Sequence, residues 1–236
     1  MSEPTNEEPA SADDAGWRGT VVPIAVFIVL LVVVEAVDQA LLDDRLQGNG
    51  IGPRQITRLD GVIWHPFLHS GFDHLFSNAA PLVVMGFLVA LRGRWFWWTV
   101  TVGSGLLGGF LVWLFAGGVN HIGASGIVFG YFGALMGAAI KERSPVTLAP
   151  ALVAIFLYGT ILAGLLPLEG ISWEGHMAGL VVGTTLALRL LPDPPPPPPD
   201  DEVLYPWELD EPWRVDDEPD GRSTGEDGDA GPDELR

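Results

Sequence analysis

The sequence predicts an all-α, polytopic membrane protein of six transmembrane helices, flanked by disordered acidic cytoplasmic tails. Three observations lead there. Apolar segments of spanning length recur through the middle of the chain. The surplus charge sits at the two ends. Within the apolar segments, glycines recur at spacings of three and four, the small-residue pattern that lets membrane helices approach closely.

Charge sets the domain boundaries. The chain is 48% hydrophobic, yet its net charge is −18. Residues 1–16 carry five acids and no base, and residues 192–236 carry sixteen acids against three bases. The middle, 17–191, is formally neutral with nine of each, so the acidity belongs to the tails and points to no nucleic-acid partner. The C-terminal tail is rich in proline and acid and includes the run Pro194 to Pro199, a composition that cannot bury a core. With no cysteine, disulfides, a thiolate nucleophile and Cys-based metal sites are excluded. The sequence calls for no metal and no cofactor.

The elements follow in order. Val21 to Val37, 17 residues dominated by apolar side chains, is near the lower limit for crossing a hydrocarbon core of ~30 Å. The region before it holds only Arg18 against five acids, a poor signal-peptide n-region, so it reads as a retained first helix. Residues 38–71 form a long connection, polar early and aromatic late, suited to resting at the membrane interface. The second span runs from Phe72 to Leu91, and the third from Trp95 to Phe115, opening on an interfacial aromatic cluster. The fourth begins near Gly123 and runs to Ile140; the fifth covers Leu148 to Leu166; the sixth covers Trp173 to Leu191.

Six spans put both tails on one side. Arg92, Arg94, Lys141 and Arg143 lie in the connections after spans two and four, whereas those after three and five hold no Lys or Arg, which makes both termini cytoplasmic. His74, Asn78, Ser125 and His176 then all fall near the outer ends of their helices. Ser125 to Ile140 is only ~24 Å of helix, so Ser125 starts below the outer surface and the connection 117–121 must dip into the membrane. Irregular backbone at that depth needs cover from protein or a water-filled cavity.

Most membrane serines bond back to a carbonyl one turn earlier, and that is the plain reading of Ser125. The sharper one is a nucleophile at a helix start, with His176 as its base, since a serine hydroxyl needs a neighbour to take its proton and neutral imidazole suits the task near pH 7. Asn78 alone reads equally as an interhelical hydrogen-bonding residue. Gly126 and Gly130 on one segment, and Gly179 and Gly183 on another, form faces suited to helix packing.

The set His69-Ser70-Gly71-Phe72-Asp73-His74-Leu75-Phe76-Ser77-Asn78, then Gly123-Ala124-Ser125-Gly126, then Gly175-His176-Met177-Ala178-Gly179 resembles the rhomboid family of intramembrane serine proteases. The resemblance covers residues 20–191 and implies a rhomboid-like six-helix bundle with Ser125 as nucleophile and His176 as general base. It further implies an oxyanion hole from His74, Asn78 and the Ser125 N–H, and an aromatic support for His176. That support is commonly a tyrosine; here it is Phe129. His69 matches a residue the family often has in this loop, and His65, His69 and His121 are all left as interfacial candidates. The family's Trp-Arg pair is not matched, since Arg58 lies six residues before Trp64, so neither takes that role.

A haem cytochrome would leave Gly-x-Ser-Gly unexplained, and an α/β-hydrolase would want glycine at position 127, where this chain has isoleucine. The expected function is serine endopeptidase cleavage of transmembrane protein substrates near the outer end of their helix, in the plasma membrane of a bacterium. The alternative is an inactive rhomboid-like adaptor that binds transmembrane segments. Partners are then those substrates and the lipid bilayer; a cytoplasmic partner of the tail stays unidentified.

Overall fold

The computed structural model describes residues 12–118 and 120–194. Most of both segments read as tails, 1–11 and 195–236, lies outside the described residues. All regular structure among the described residues is helical, with one isolated antiparallel bridge between Ile51 and His121.

The long helices are α1 (Ala12–Leu41), α3 (Phe72–Ala90), α4 (Arg94–Gly103) continued through a π turn (Ser104–Gly108) into α5 (Gly109–Phe115), α6 (Ser125–Glu142), α7 (Pro145–Tyr158) continued as a 3₁₀ helix (Gly159–Leu165), and α8 (Trp173–Leu190). A four-residue α2 (Gly61–Trp64) lies in the connection after α1. Four rods are long and apolar enough to cross a membrane: Val21–Leu41, Phe72–Ala90, Arg94–Phe115 and Pro145–Leu165. α6 and α8 are each 18 residues, and glycine and end charges dilute their hydropathy. They can be less apolar because α6 is central, packed on α3, α4, α7 and α8.

The α6–α8 contact is made by missing side chains. A Cβ on Gly179 would collide with the Gly126 carbonyl and one on Gly183 with the Gly130 carbonyl, so the two backbones touch. In lipid no hydrophobic force drives helices together, and this close packing is what holds them. Thr184 Oγ1–H adds a 3.2 Å bond across the seam to Gly133 O. On the other side of α6, Tyr131 O–H reaches Thr101 Oγ1 at 2.7 Å, and Thr101 donates in turn to Trp97 O at 2.6 Å. At the end of α6 remote from Ser125, Arg92 pairs with Glu142 through bonds of 2.6 and 3.2 Å.

Several boundaries differ from those read in the sequence. α1 begins at Ala12 and runs to Leu41, carrying Glu35 and Asp38, 1% and 2% exposed, inside protein cover. Asp38 earns its burial by capping the turn that follows: its Oδ1 accepts Leu46 N–H at 2.8 Å. α7 starts three residues early because Ser144 and Thr147 form a capping box ahead of Pro145. The connection between α1 and α3 is more than an interfacial coil. Ile51 is 0% exposed and pairs with His121 through bonds of 2.9 and 3.0 Å. Arg54 Nη1 reaches Ala116 O at 2.8 Å, and Arg58 donates to Gly48 O, Gly50 O and the Asn120 side chain. Its outer surface still presents Ile56, Ile63 and Trp64.

Candidate active site

The start of α6 is fixed from outside the helix. Gly123 has φ +110°, a conformation that side chains rarely adopt, and a Cβ there would sit 2.9 Å from the His74 ring. Its N–H goes to His65 O at 2.9 Å, and the next one, Ala124 N–H, goes to His69 Nε2 at 3.3 Å. The first connection thus takes up the two amides that precede the helix. The Ser125 N–H has no acceptor among the described residues and stays free at the positive end of the helix dipole.

Ser125 Oγ lies 2.9 Å from His176 Nε2. His176 Nδ1 lies 2.8 Å from Gly164 O, and because a carbonyl only accepts, the proton sits on Nδ1 and Nε2 is free to accept from Ser125. The Phe129 ring stacks on the same imidazole at a centroid distance of 4.3 Å. His74 and Asn78 share one face of α3. Ser70 N–H reaches His74 Nδ1 at 3.3 Å, which leaves the His74 proton on Nε2. Measured from the place a Gly123 Cβ would occupy, His74 Nε2 is 2.9 Å away and Asn78 Nδ2 is 3.3 Å away. Two side-chain donors therefore converge beside the turn that presents Ser125. Asn78 is 6% exposed and its Nδ2 has no hydrogen-bond partner among the described residues.

These groups open on a cavity of about 850 Å³, lined also by Glu169 and Glu174 from around the start of α8. Gly117, Gly118 and residues 120–122 form one wall and 167–172 another. Serine, histidine, asparagine and a free helix-start amide around one cavity can carry acyl transfer: a nucleophile, a base, and donors for a developing oxyanion.

A family profile described as Rhomboid domain matches residues 53–193. This chain belongs to the rhomboid family. An uncharacterized protein of Mycobacterium tuberculosis is 40% identical over 179 residues, covering 71% of this chain and 73% of the relative. A Mycobacterium bovis protein aligns equally well, and one of Mycobacterium leprae is 36% identical over 186 residues, covering 74% of this chain and 72% of its own length. Those relatives are also uncharacterized, so the family is shared with them but no activity is carried over.

In this rhomboid the structure brings Ser125, His176, Phe129, His74 and Asn78 around one cavity. Gly126, Gly130, Gly179 and Gly183 lie on the seam behind it. The three remaining histidines are not interfacial: His65, His69 and His121 are 7%, 1% and 8% exposed and bond within the loops that hold the turn. Burial lowers both His65 and His69 to about 4, so both are neutral near pH 7. Sequence reasoning missed Gly164. The resemblance implies only an aromatic support for His176, whereas the Gly164 carbonyl fixes its tautomer. A glycine among the large side chains of the fifth span was the available signal. Arg58 also went without a role, yet it binds the first connection to the loop ahead of α6.

Proposed function

We propose that this rhomboid is an intramembrane serine endopeptidase working through Ser125 and His176, with six spans and both tails cytoplasmic in a plasma membrane. The observation that carries the reading is the 2.9 Å contact of Ser125 Oγ with the unprotonated nitrogen of His176.

Ser125 Oγ attacks the scissile carbonyl as its proton passes to His176 Nε2. The imidazolium keeps its Nδ1–H on Gly164 O, a dipole oriented to stabilise it. The new oxyanion takes hydrogen bonds from the Ser125 N–H, His74 Nε2–H and Asn78 Nδ2–H, donors already in place and needing no reorganisation. Collapse of the tetrahedral intermediate breaks the C–N bond, and the Nε2 proton goes to the leaving amine. Water then attacks the acyl-serine by the same route and regenerates the hydroxyl.

The substrates are transmembrane protein segments, cut near the outer end of the helix after a small residue. A helical peptide bond is hydrogen-bonded and sterically closed, so the substrate must unwind locally; Gly, Pro or polar residues near its cleavage site favour that step. The test is labelling of the purified protein by a serine-directed fluorophosphonate, beside cleavage of a transmembrane substrate. Both signals should be lost in Ser125→Ala and His176→Ala. Labelling or cleavage that survives in Ser125→Ala would overturn the mechanism.

A further inference from the structure

Among the described residues no carboxylate bonds to His176, so the separation of Ser125 from His176 depends on how the start of α6 is held against the start of α8. Beyond the glycine seam, side-chain bonds tie the loop that leads into α6 to the first residues of α8. His121 Nε2 lies 2.7 Å from Gly117 O, so its proton sits on Nε2 and Nδ1 is a bare acceptor. Ser172 Oγ–H donates to that Nδ1 at 2.6 Å. Ser172 is the residue just before α8; its side chain makes no bond to the helix, and its carbonyl accepts the His176 N–H at 3.1 Å. A second link runs parallel, from Gly117 N–H to Glu174 Oε1 at 3.2 Å.

His121 stands four residues before Ser125, and Ser172 stands four before His176. The His121 backbone is itself pinned on both sides by the bridge to Ile51. His121 is 8% exposed, and no step of the chemistry above uses it.

We propose that the His121–Ser172 pair is a clasp that sets the Ser125–His176 distance, with His121 a positioning residue for this active site. The inference rests on the protease reading. Without the clasp, the first turn of α8 is released from the loop that leads into Ser125, and the proton-transfer contact lengthens. A misplacement of 1 Å costs ~10²-fold in such a step.

The test is a double-mutant cycle on the full chain in detergent with His121→Ala, Ser172→Ala and the double variant, plus Ser172→Thr as the conservative restoration. The readouts are the rate at which a fluorophosphonate labels Ser125, kcat and KM on a transmembrane substrate, and melting temperature. Each single alanine variant should lose ~10–10²-fold in labelling rate and kcat per folded molecule, with KM within about threefold. The double variant should be no slower than the slower single one, and Ser172→Thr should recover most of the rate because it keeps the hydroxyl. Independent, multiplying losses would overturn the clasp, as would wild-type rates per folded molecule or a Ser172→Thr protein as slow as Ser172→Ala. Labelling or cleavage that persists in Ser125→Ala is a separate failure, one that removes the protease reading itself.

Discussion

The Phe129 ring and the His176 imidazole lie face to face, 13° from parallel. Phe129 is 0% exposed and stands one helical turn after Ser125, so the helix that carries the hydroxyl also carries a wall for its base. Phe129→Ala should free the imidazole to tilt and lower kcat per folded molecule by ~10–10²-fold, with a loss of stability of about 3–5 kcal/mol, whereas Phe129→Tyr keeps the face and should stay active. Steady-state cleavage by the three proteins decides this. Equal rates would mean that Gly164 O alone orients the base.

The opposite edge of the imidazole is held by a position that admits no side chain. A Cβ at Gly164 would stand 2.8 Å from His176 Nδ1 and 3.2 Å from its Cε1. Gly164→Ala should therefore push the ring off the carbonyl and off Ser125. The expected result is a fall in kcat of ~10²-fold with a small change in melting temperature, since the residue lies in a half-exposed 3₁₀ turn. A fully active Gly164→Ala protein would show that the turn shifts freely and that the hydrogen bond to Gly164 O is not needed.

What the sequence reveals here divides along physical lines. The long apolar rods, the glycine rows and the residues of the three motifs are local patterns, so they can be read without coordinates. Partners supplied by main-chain carbonyls leave no such trace. Gly164 O, His65 O and Gly117 O are equally available in any sequence, and only the fold shows that they orient His176, hold Gly123 and fix the tautomer of His121. The first connection was opaque for a related reason. Its order comes from long-range bonds of Arg54, Arg58 and Ile51 to segments about 60 to 70 residues away, and periodicity carries no information at that separation. The two helices that carry Ser125 and His176 were legible by motif even though their hydropathy is diluted, because the glycines that lower it also make their seam.

Acid should loosen this scaffold. His65 and His69 precede the second long helix, and burial lowers each from 6.5 to about 4. Between those values the unfolded chain binds more protons than the folded one, so stability is full above about 6.5 and falls as pH drops toward 4. At ~1.4 kcal/mol per unit, each histidine contributes at most roughly 3 kcal/mol to that loss. Protonated His69 could no longer accept the Ala124 N–H, so the turn before Ser125 should open along with it. Melting temperature in detergent should decline from pH 7 to pH 4.5, less steeply for His69→Gln, whose amide oxygen accepts without titrating. A profile that does not change with pH would mean that the buried histidines gain a proton partner on acidification.

Asn78 separates catalysis from packing most sharply. Its Nδ2 has no hydrogen-bond partner among the described residues and stands beside the turn that presents Ser125. Such a donor should act on kcat more than on substrate binding, because the oxyanion exists only as Ser125 attacks. His74 Nε2 and the Ser125 N–H cover part of the loss, so Asn78→Ala should slow turnover by ~10–10²-fold, toward the low end for removing one oxyanion donor. It should also leave the melting temperature little changed. A packing residue gives the reverse pattern, with a lower melting temperature and turnover per folded molecule preserved. Measured side by side in one detergent, kcat and melting temperature for Asn78→Ala and wild type decide between the two, and a destabilised protein with normal kcat would take Asn78 out of the site.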